Sequence, residues 1–297
     1  MFAQDQPWDG TGSAGWLFPS PSRQCDTGPV EAIRSAGFLV IGEIMGIGEV
    51  AIMGKGRAEA LAAAALCWVL TIVAVSPLAA AKDRILLDEQ FQTLDRWKPL
   101  LFPKISRHSS YRPDRCDGQP CLRLESDNAA SALVMKESFD VYAYPGLAWS
   151  WKVSNVYAKG DSATKEGDDY PVRLYVMFAY DPDNASLGRQ IQYGLAKTLY
   201  GEYPPDSSIS YIWDNRAGDA PFIVNAYTDA ARMIPVDAGQ ESVNTWREHR
   251  VDIVRDYTMA FGRKPPARAS LAVMIDSDNT GESATSWIRS IRLFGPE

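Results

Sequence analysis

The chain has 297 residues, of which 46% are hydrophobic and 23% charged, and 37 acidic residues against 30 basic ones give a net charge of −7. This is ordinary globular composition, which excludes a disordered chain, a collagen, a coiled coil and a polytopic membrane protein. The acidic balance argues against a nucleic-acid partner, and two histidines are too few for a histidine-rich metal enzyme.

An apolar segment near the N-terminus has the pattern of a targeting sequence. No charged residue occurs from Ala60 to Ala81, two basic residues precede this run, and Pro77 is followed by an A-x-A end at residues 79–81. These features are typical of a secretory signal peptide, which we predict over 53–81, with cleavage after Ala81. A membrane anchor is the alternative, because 22 uncharged residues could just span a bilayer. The protein is then exported, either periplasmic or secreted, and contacts a membrane only through this segment if it stays uncleaved.

The residues before this segment are unusual, because signal peptides normally begin close to the initiator methionine. Met53 begins a well-formed signal sequence, MGKGRAEAL. We therefore predict that residues 1–52 are a gene-model extension. The alternative is a disordered cytoplasmic tail, which would favour the anchor. The remaining segment, 82–297, has the length of one domain.

Two cysteines remain in that segment, Cys116 and Cys121 in the sequence CDGQPC. The residues between them favour a turn, and an even pair in an exported chain favours a disulfide. A metal site is the alternative, but two thiolates without a nearby histidine fall short of four ligands.

Alternating apolar and polar residues predict about ten short strands, bounded by Gly, Pro, Asp and Asn. They lie at 121–126, 131–135, 146–153, 171–180, 209–213, 222–225, 233–236, 246–253, 270–275 and 287–294. We expect the first two to pair through an Asp-Asn turn. Helical spacing is found only at 186–200 and 254–261, with no βαβ rhythm. The sequence therefore predicts a mainly β protein, an antiparallel β-sandwich of jelly-roll type with one or two short helices.

The strongest predicted strand, 171–180, contains one charged residue. Arg173 shares a face with Tyr175, opposite Leu174 and Val176. An inward Arg173 must be paired, with Asp168 or with a ligand carboxylate, because a buried unpaired charge is costly. The alternative is the solvent-facing side of the sandwich.

An acidic motif, Asp276-Ser-Asp-Asn-Thr-Gly, follows the strand at 270–275. Its oxygens could surround a structural Ca²⁺ ion, with Asp276, Asp278 and Asn279 as ligands. The alternative is an Asx-rich turn between two strands. We predict no other cofactor.

Several motifs resemble those of a bacterial family of exported proteins classified as a domain of unknown function, DUF3047. They are Leu122-Arg-Leu-Glu-Ser, Trp149-Ser-Trp-Lys-Val, Gly167-Asp-Asp-Tyr-Pro-Val-Arg-Leu-Tyr-Val, Tyr211-Ile-Trp, Asp256-Tyr…Phe261-Gly and Asp276-Ser-Asp-Asn-Thr-Gly. The resemblance implies export and one domain, and it supplies no activity. The opening Phe91…Trp97 and the closing strand at 287–294 are similar to the first and last strands of carbohydrate-binding jelly rolls.

We predict a non-catalytic exported sandwich that binds a glycan or a cell-envelope component. Its expected ligand contacts are polar and aromatic side chains, with Trp151 and Trp213 as stacking faces. The full set is Trp151, Asp168, Asp169, Arg173, Tyr175, Trp213, Asp276 and Asp278. The first alternative is a glycoside hydrolase or polysaccharide lyase that pairs Asp168 or Asp169 with Asp276 or Asp278. The second is a structural envelope protein.

Overall fold

The computed structural model describes residues 83–182 and 204–296. In these residues two sheets of short strands pack face to face beside one helix, so the predicted β-sandwich of jelly-roll type is confirmed. The predicted helix at 186–200 and the N-terminal segments 1–52 and 53–81 lie outside the described residues. No helix in the described ranges is long and apolar enough to cross a membrane.

The first sheet, sheet A, contains six strands that all pair antiparallel. They are β1 (Arg84–Glu89), β3 (Ser110–Cys116), β4 (Gln119–Asp127), β7 (Gly146–Val153), β12 (Arg247–Asp252) and β14 (Ser283–Gly295). Their spatial order is β12-β7-β14-β4-β3, and β1 pairs with the far end of the long strand β14.

The second sheet, sheet B, contains eight strands in the order β10-β11-β9-β8-β13-β5-β2, with β6 also paired to β13. They are β2 (Trp97–Leu101), β5 (Ala130–Met135), β6 (Phe139–Asp140), β8 (Arg173–Phe178), β9 (Ser207–Asp214), β10 (Ile223–Val224), β11 (Ala231–Ala238) and β13 (Arg268–Asp276). The pair β9–β11 is parallel, which departs from the purely antiparallel prediction.

The main core lies between the inner faces of the two sheets. Trp149 and Trp151 of β7 meet Leu174 and Val176 of β8 there, as the period of two predicts. The opposite side of β8 is also buried, because Tyr175 belongs to a second apolar cluster on the outer face of sheet B. Both faces of this central strand are therefore covered.

The predicted pairing of the strands at 121–126 and 131–135 is wrong. β4 pairs with β3 and β14 in sheet A, whereas β5 pairs with β2 and β13 in sheet B. At the turn Asn128 has a φ of 47°, and its backbone N–H donates to the carbonyl of Glu282. The connection crosses between the layers, because each strand buries its apolar side chains on a different sheet.

Two local predictions are confirmed. Cys116 and Cys121 form a disulfide that closes the β3–β4 hairpin around Asp117 and Gly118, which both have positive φ. The single described helix, α1 (Ile253–Phe261), begins after the N-cap Asp252 and ends at Gly262, whose φ is 68°.

Candidate functional site

Arg173 begins β8, and its side chain is fully buried on the outer face of sheet B. Its Nε donates to Oδ1 of Asp276 at 3.1 Å, and its Nη2 donates to Oδ2 of the same carboxylate. Asp276 ends the neighbouring strand β13, so the sheet itself brings the two residues together. Nη1 of Arg173 lies 3.6 Å from Oδ1 of Asp168. Arg173 is therefore buried and ion-paired although it lies on the face of sheet B that points away from sheet A, and it does not contact solvent as the alternative required.

Asp168 and Asp169 lie in the loop before β8, and their side chains have different partners. Asp168 accepts from Nδ2 of Asn225 at 3.1 Å. Asp169 accepts from Nδ2 of Asn279 at 3.1 Å and from the backbone N–H of Thr280 at 2.6 Å. The second carboxylate thus holds the turn after β13 against the loop before β8.

Asp169, Asp276 and Asp278 place carboxylate oxygens within 4.8 Å of one another. Together with Asp168 we name these residues the acidic cluster. Burial raises the pKa of Asp168 to about 6, against the opposing effect of Arg173. Burial, reinforced by the charge of Asp169, also raises the pKa of Asp278 to about 6. Asp169 therefore meets Asp276 and Asp278 from a distant segment, which is the kind of pairing on which the hydrolase alternative depends.

The donor set of the predicted calcium site differs in part from the expectation. Asp276 and Asp278 converge, but their third neighbour is Asp169. The side-chain amide of Asn279 donates to Asp169, and its oxygen accepts from the hydroxyl of Tyr227 at 3.5 Å. Among the described residues Arg173 is the one fully buried cation, so four carboxylates exceed the buried positive charge around them. Protons or a bound cation would balance the remainder.

The acidic cluster is closed to large ligands. Asp168, Asp169, Arg173 and Asp276 have no exposed surface in this structure. A glycan therefore has no access to them here, and their predicted role as ligand contacts stays a prediction.

The predicted stacking faces are core residues. Trp151 and Trp213 are fully buried, with their indole N–H groups donating to Oδ2 of Asp237 at 2.7 Å and to the carbonyl of Gly239 at 3.0 Å. Tyr175 is 3% exposed on the opposite face of sheet B. The expectation that Trp151 and Trp213 offer exposed faces is wrong, because the alternation that aligned them points them between the sheets.

A second site lies at one end of sheet A, where β4 and β7 end and β3 and β14 begin. A cavity of about 480 Å³ opens there, which we name the polar groove. Among the side chains that line it are Arg107, Ser110, Glu125, Asp127, Asn155 and Thr285. Carboxylate, amide and hydroxyl side chains line this groove together with the basic side chains of Arg107 and His108.

Ion pairs fix the carboxylates of this groove. Glu125 bonds with Nη1 of Arg112 and with Nη2 of Arg123, the latter at 2.7 Å. Burial alone would raise the pKa of Glu125, but the hydrogen bonds from Arg123 and Arg112 outweigh it and hold the pKa below its usual range. Asp127 pairs with Arg107 at 2.5 Å. Both acids remain accessible, because their side chains are 31% and 71% exposed.

Beside the groove a row of alternating cations and aromatic rings crosses the outer face of sheet A. Nζ of Lys152 lies 5.0 Å from the ring of Trp246 and 4.8 Å from the ring of Trp287. The guanidinium carbon of Arg123 lies 6.0 Å from the ring centroid of Trp287, and that of Arg289 lies 4.1 Å from the ring centroid of Trp246. We name these five residues the cation–aromatic row.

Sequence reasoning missed both the polar groove and this row. Trp287 could have been placed on an outer face, because it alternates with the buried residues Ser286 and Ile288. The row itself depends on strand register, which sets Trp287 opposite Lys152 on one side and Arg123 on the other. No local pattern in the sequence specifies that register.

The fold and these two sites define a β-sandwich with a closed acidic cluster and an open polar groove. Residues 95–292 match the family described as "Protein of unknown function (DUF3047)". Because the match covers most of the chain, the protein belongs to this family, as the resemblance indicated. A search of curated proteins finds no match.

The comparison with solved structures finds weak likenesses to proteins of several kinds. The family 30 carbohydrate-binding module of a Clostridium thermocellum cellulosomal cellulase has 13% identity and a TM-score of 0.33, over 70% of this chain and 97% of that module. Winged bean acidic lectin has 10% identity and a TM-score of 0.33, over 72% of this chain and 99% of the lectin.

The enzymatically active domain of bacteriophage CBA120 tailspike protein 4 has 10% identity and a TM-score of 0.33, over 69% of this chain. This chain spans only 20% of that protein's length. Likenesses at this level carry no argument about activity, and the fold assignment rests on the sheets described above.

Proposed function

We propose that this protein is an exported, non-catalytic β-sandwich that binds a glycan or a glycan-bearing component of the cell envelope in the polar groove. The observation that carries the proposal is an open cavity of about 480 Å³ lined by carboxylate, amide, hydroxyl and basic side chains. Its volume lies in the range of small-molecule sites. This location replaces the acidic cluster, which is closed.

The groove offers the groups that sugar hydroxyls need. A hydroxyl donates one hydrogen bond and accepts others, so it is satisfied by a carboxylate or amide oxygen beside an N–H donor. Glu125 with Arg112 and Arg123 provides such a combination. The amide N–H groups of Asn155 donate to the carbonyls of Ser283 and Val156, so this side chain shapes the groove through its contacts with the backbone. The ion pairs hold Glu125 in place before a ligand arrives, which reduces the entropic cost of binding.

The state of the groove carboxylates favours binding over hydrolysis. A catalytic acid needs a raised pKa, so that it carries a proton near neutral pH. Two arginines lower the pKa of Glu125 instead. The described carboxylates whose pKa values are raised are Asp168 and Asp278 of the acidic cluster and Asp214 at the end of β9, and none of them lines the groove. We therefore prefer a binding protein to a glycoside hydrolase or lyase.

Export is part of the proposal. The signal-like sequence at 53–81 supports it, and the disulfide between Cys116 and Cys121 is typical of an oxidising compartment. Sequencing the N-terminus of the protein recovered from its producing cells tests this point. A mature chain that begins at Lys82 would support export with cleavage, whereas an intact Met1 would contradict cleavage and favour the membrane anchor.

A glycan array probed with the purified protein tests binding. We expect binding to a subset of glycans, with about tenfold weaker affinity in Glu125→Gln, since a hydrogen bond to a charged acceptor is lost. Glu137→Gln, at an exposed position between β5 and β6, is the matched control and should bind like the wild type. No binding to any glycan would contradict the proposed function and favour a structural envelope protein.

A further inference from the structure

The cation–aromatic row contains one positive charge that no carboxylate neutralises. Around the row and the groove, four arginines pair with four carboxylates: Arg107 with Asp127, Arg112 with Glu125, Arg123 with Glu125 and Asp114, and Arg289 with Asp117. Lys152 makes no ion pair with a carboxylate in the part of the chain that the structure describes. The ammonium group of Lys152, a half-buried residue, lies between two indole rings and is therefore the unbalanced positive charge of this surface.

The ring of Trp246 is held in place by Asp117 and Arg289. Nε1 of Trp246 donates to Oδ2 of Asp117 at 2.8 Å, and Arg289 bonds to the same oxygen at 2.9 Å. Arg289 is the extra residue at a bulge of β14, between Ile288 and Ser290. This bulge lies where the guanidinium of Arg289 meets Trp246, so the position of the Trp246 ring is fixed without a ligand.

Cations already occupy the ring faces of the row. Lys152 lies between Trp246 and Trp287, while Arg289 and Arg123 lie against the same two rings. Stacking of a neutral sugar needs a free ring face. The row is therefore suited to an anionic group, which Lys152 can meet beside rings that exclude part of the surrounding water.

The row adjoins the polar groove closely enough for one ligand to contact both. Thr285 in the groove and Trp287 in the row lie two positions apart on the same face of β14. Ser154 in the groove and Lys152 in the row are likewise two positions apart along the chain. Two positions of a strand span about 7 Å, which is the reach of one sugar residue with its substituent.

We propose that the ligand of the polar groove is an acidic glycan, whose carboxylate or phosphate is bound by Lys152 between Trp246 and Trp287. This inference rests on the proposed function, since it names the class of glycan for the same site. The chain carries a net charge of −7, so attraction of an anion depends on this local surplus.

The test compares matched pairs of glycans that differ only in charge, such as oligogalacturonates and their methyl esters, alongside an array that includes phosphorylated and neutral sugars. We expect the acidic member of a bound pair to bind about tenfold more tightly, and 0.5 M salt to weaken this preference. In Lys152→Gln the preference disappears, while the residual affinity for the uncharged member stays. Lys264→Gln, at an exposed position between α1 and β13, is the matched control and keeps the preference.

The outcomes separate this inference from the proposed function. Binding that favours neutral glycans, or an acidic preference that persists in Lys152→Gln, would overturn the inference and leave glycan binding intact. Absence of binding to every glycan would overturn both. Thermal unfolding of Lys152→Gln shows whether the row also stabilises the sheet, and Lys152→Arg, which keeps the charge, restores the acidic preference if charge is what matters.

Discussion

At the scale of single residues, Asp168 and Glu125 are both carboxylates beside arginine, and their pKa values shift in opposite directions. Asp168 is fully buried, so the loss of hydration outweighs Arg173 and raises its pKa to about 6. Glu125 keeps part of its hydration, and two arginines hold its pKa below the usual range despite partial burial. The charge state of a carboxylate beside arginine therefore depends also on how deeply the carboxylate is buried.

Asp168 should make folding less favourable as pH rises. Its pKa is about 6 when folded and near 3.8 otherwise, so the folded state holds the proton more tightly between these values. The stabilisation that comes from protonated Asp168 is complete below pH 3.8 and is lost as the pH rises to about 6. Because asparagine does not titrate, the free energy of unfolding of Asp168→Asn should rise by roughly 3 kcal/mol relative to that of the wild type between pH 4 and pH 7. Urea unfolding at both pH values measures this difference. Asp219→Asn, at an exposed site, should show no such trend; parallel curves for wild type and Asp168→Asn would refute the assignment.

The calcium prediction can be tested on the same cluster. A cation bound by Asp169, Asp276 and Asp278 stabilises only the folded state, so added Ca²⁺ should raise the melting temperature and a chelator should lower it. Asp278→Asn, which removes the most accessible of the three carboxylates, should abolish the response. Identical melting temperatures with Ca²⁺ and with chelator would show that protons and Arg173 balance the cluster without a metal.

At the scale of elements, the strands that the sequence missed are those that lie at sheet edges or are largely exposed. β3 lies at one end of sheet A and β2 at one end of sheet B, and each contains a proline, Pro113 and Pro99 respectively. Proline is tolerated at an edge, where its missing N–H costs no sheet hydrogen bond. β1 and β3 also expose most of their residues, so their apolar alternation is weak.

The β3–β4 hairpin depends on its disulfide as well as its turn. A bridge between Cys116 and Cys121 closes a short loop, and chain-entropy arguments give it about 2 kcal/mol. We expect the free energy of unfolding of the double variant Cys116→Ser, Cys121→Ser to be lower by this amount. Urea unfolding measures it, and we expect the same dependence of the free energy on urea concentration as in the wild type. A variant as stable as the oxidised wild type would show that the turn at Asp117 and Gly118 alone holds the hairpin.

At the scale of the whole molecule, Asp237 joins the two sheets at one side of the sandwich. It belongs to β11 in sheet B and accepts from Trp151, Arg247 and His249 of sheet A at 2.7, 2.8 and 2.7 Å. Burial opposes its ionisation, but the hydrogen bonds from His249, Trp151 and Arg247 prevail and lower its pKa. His249 is thus a partner of a structural carboxylate.

We expect Asp237→Asn to destabilise the protein by about 1 to 3 kcal/mol at pH 7, because buried donors lose a charged acceptor. The lowered pKa means that this stabilisation is present above the unfolded pKa and is lost as pH falls, so the difference from wild type should shrink toward pH 3. Unfolding in urea at both pH values measures it, with Asp219→Asn as the control. An equal difference at both pH values would contradict the role of the charge.

The sequence alone was sufficient for what depends on local pattern. Alternation placed β7 at 146–153, an Asp-Gly turn between two cysteines predicted the disulfided hairpin, and Gly262 predicted the end of α1. The need to pair an inward Arg173 followed from the cost of burying a charge. These inferences hold because they involve residues a few positions apart, or the preferences of a single side chain.

Only the tertiary structure decided which side chains remain in contact with solvent. Period-two alternation aligned Trp151 with Trp149 but could not say that this face meets the other sheet, so rings expected outside are inside. Nor could it set Trp287 beside Lys152, since strand register joins residues far apart in the chain. Burial and register arise from the packing of whole sheets, and for this reason the closed acidic cluster and the open groove beside the cation–aromatic row became visible only once the sheets were assembled.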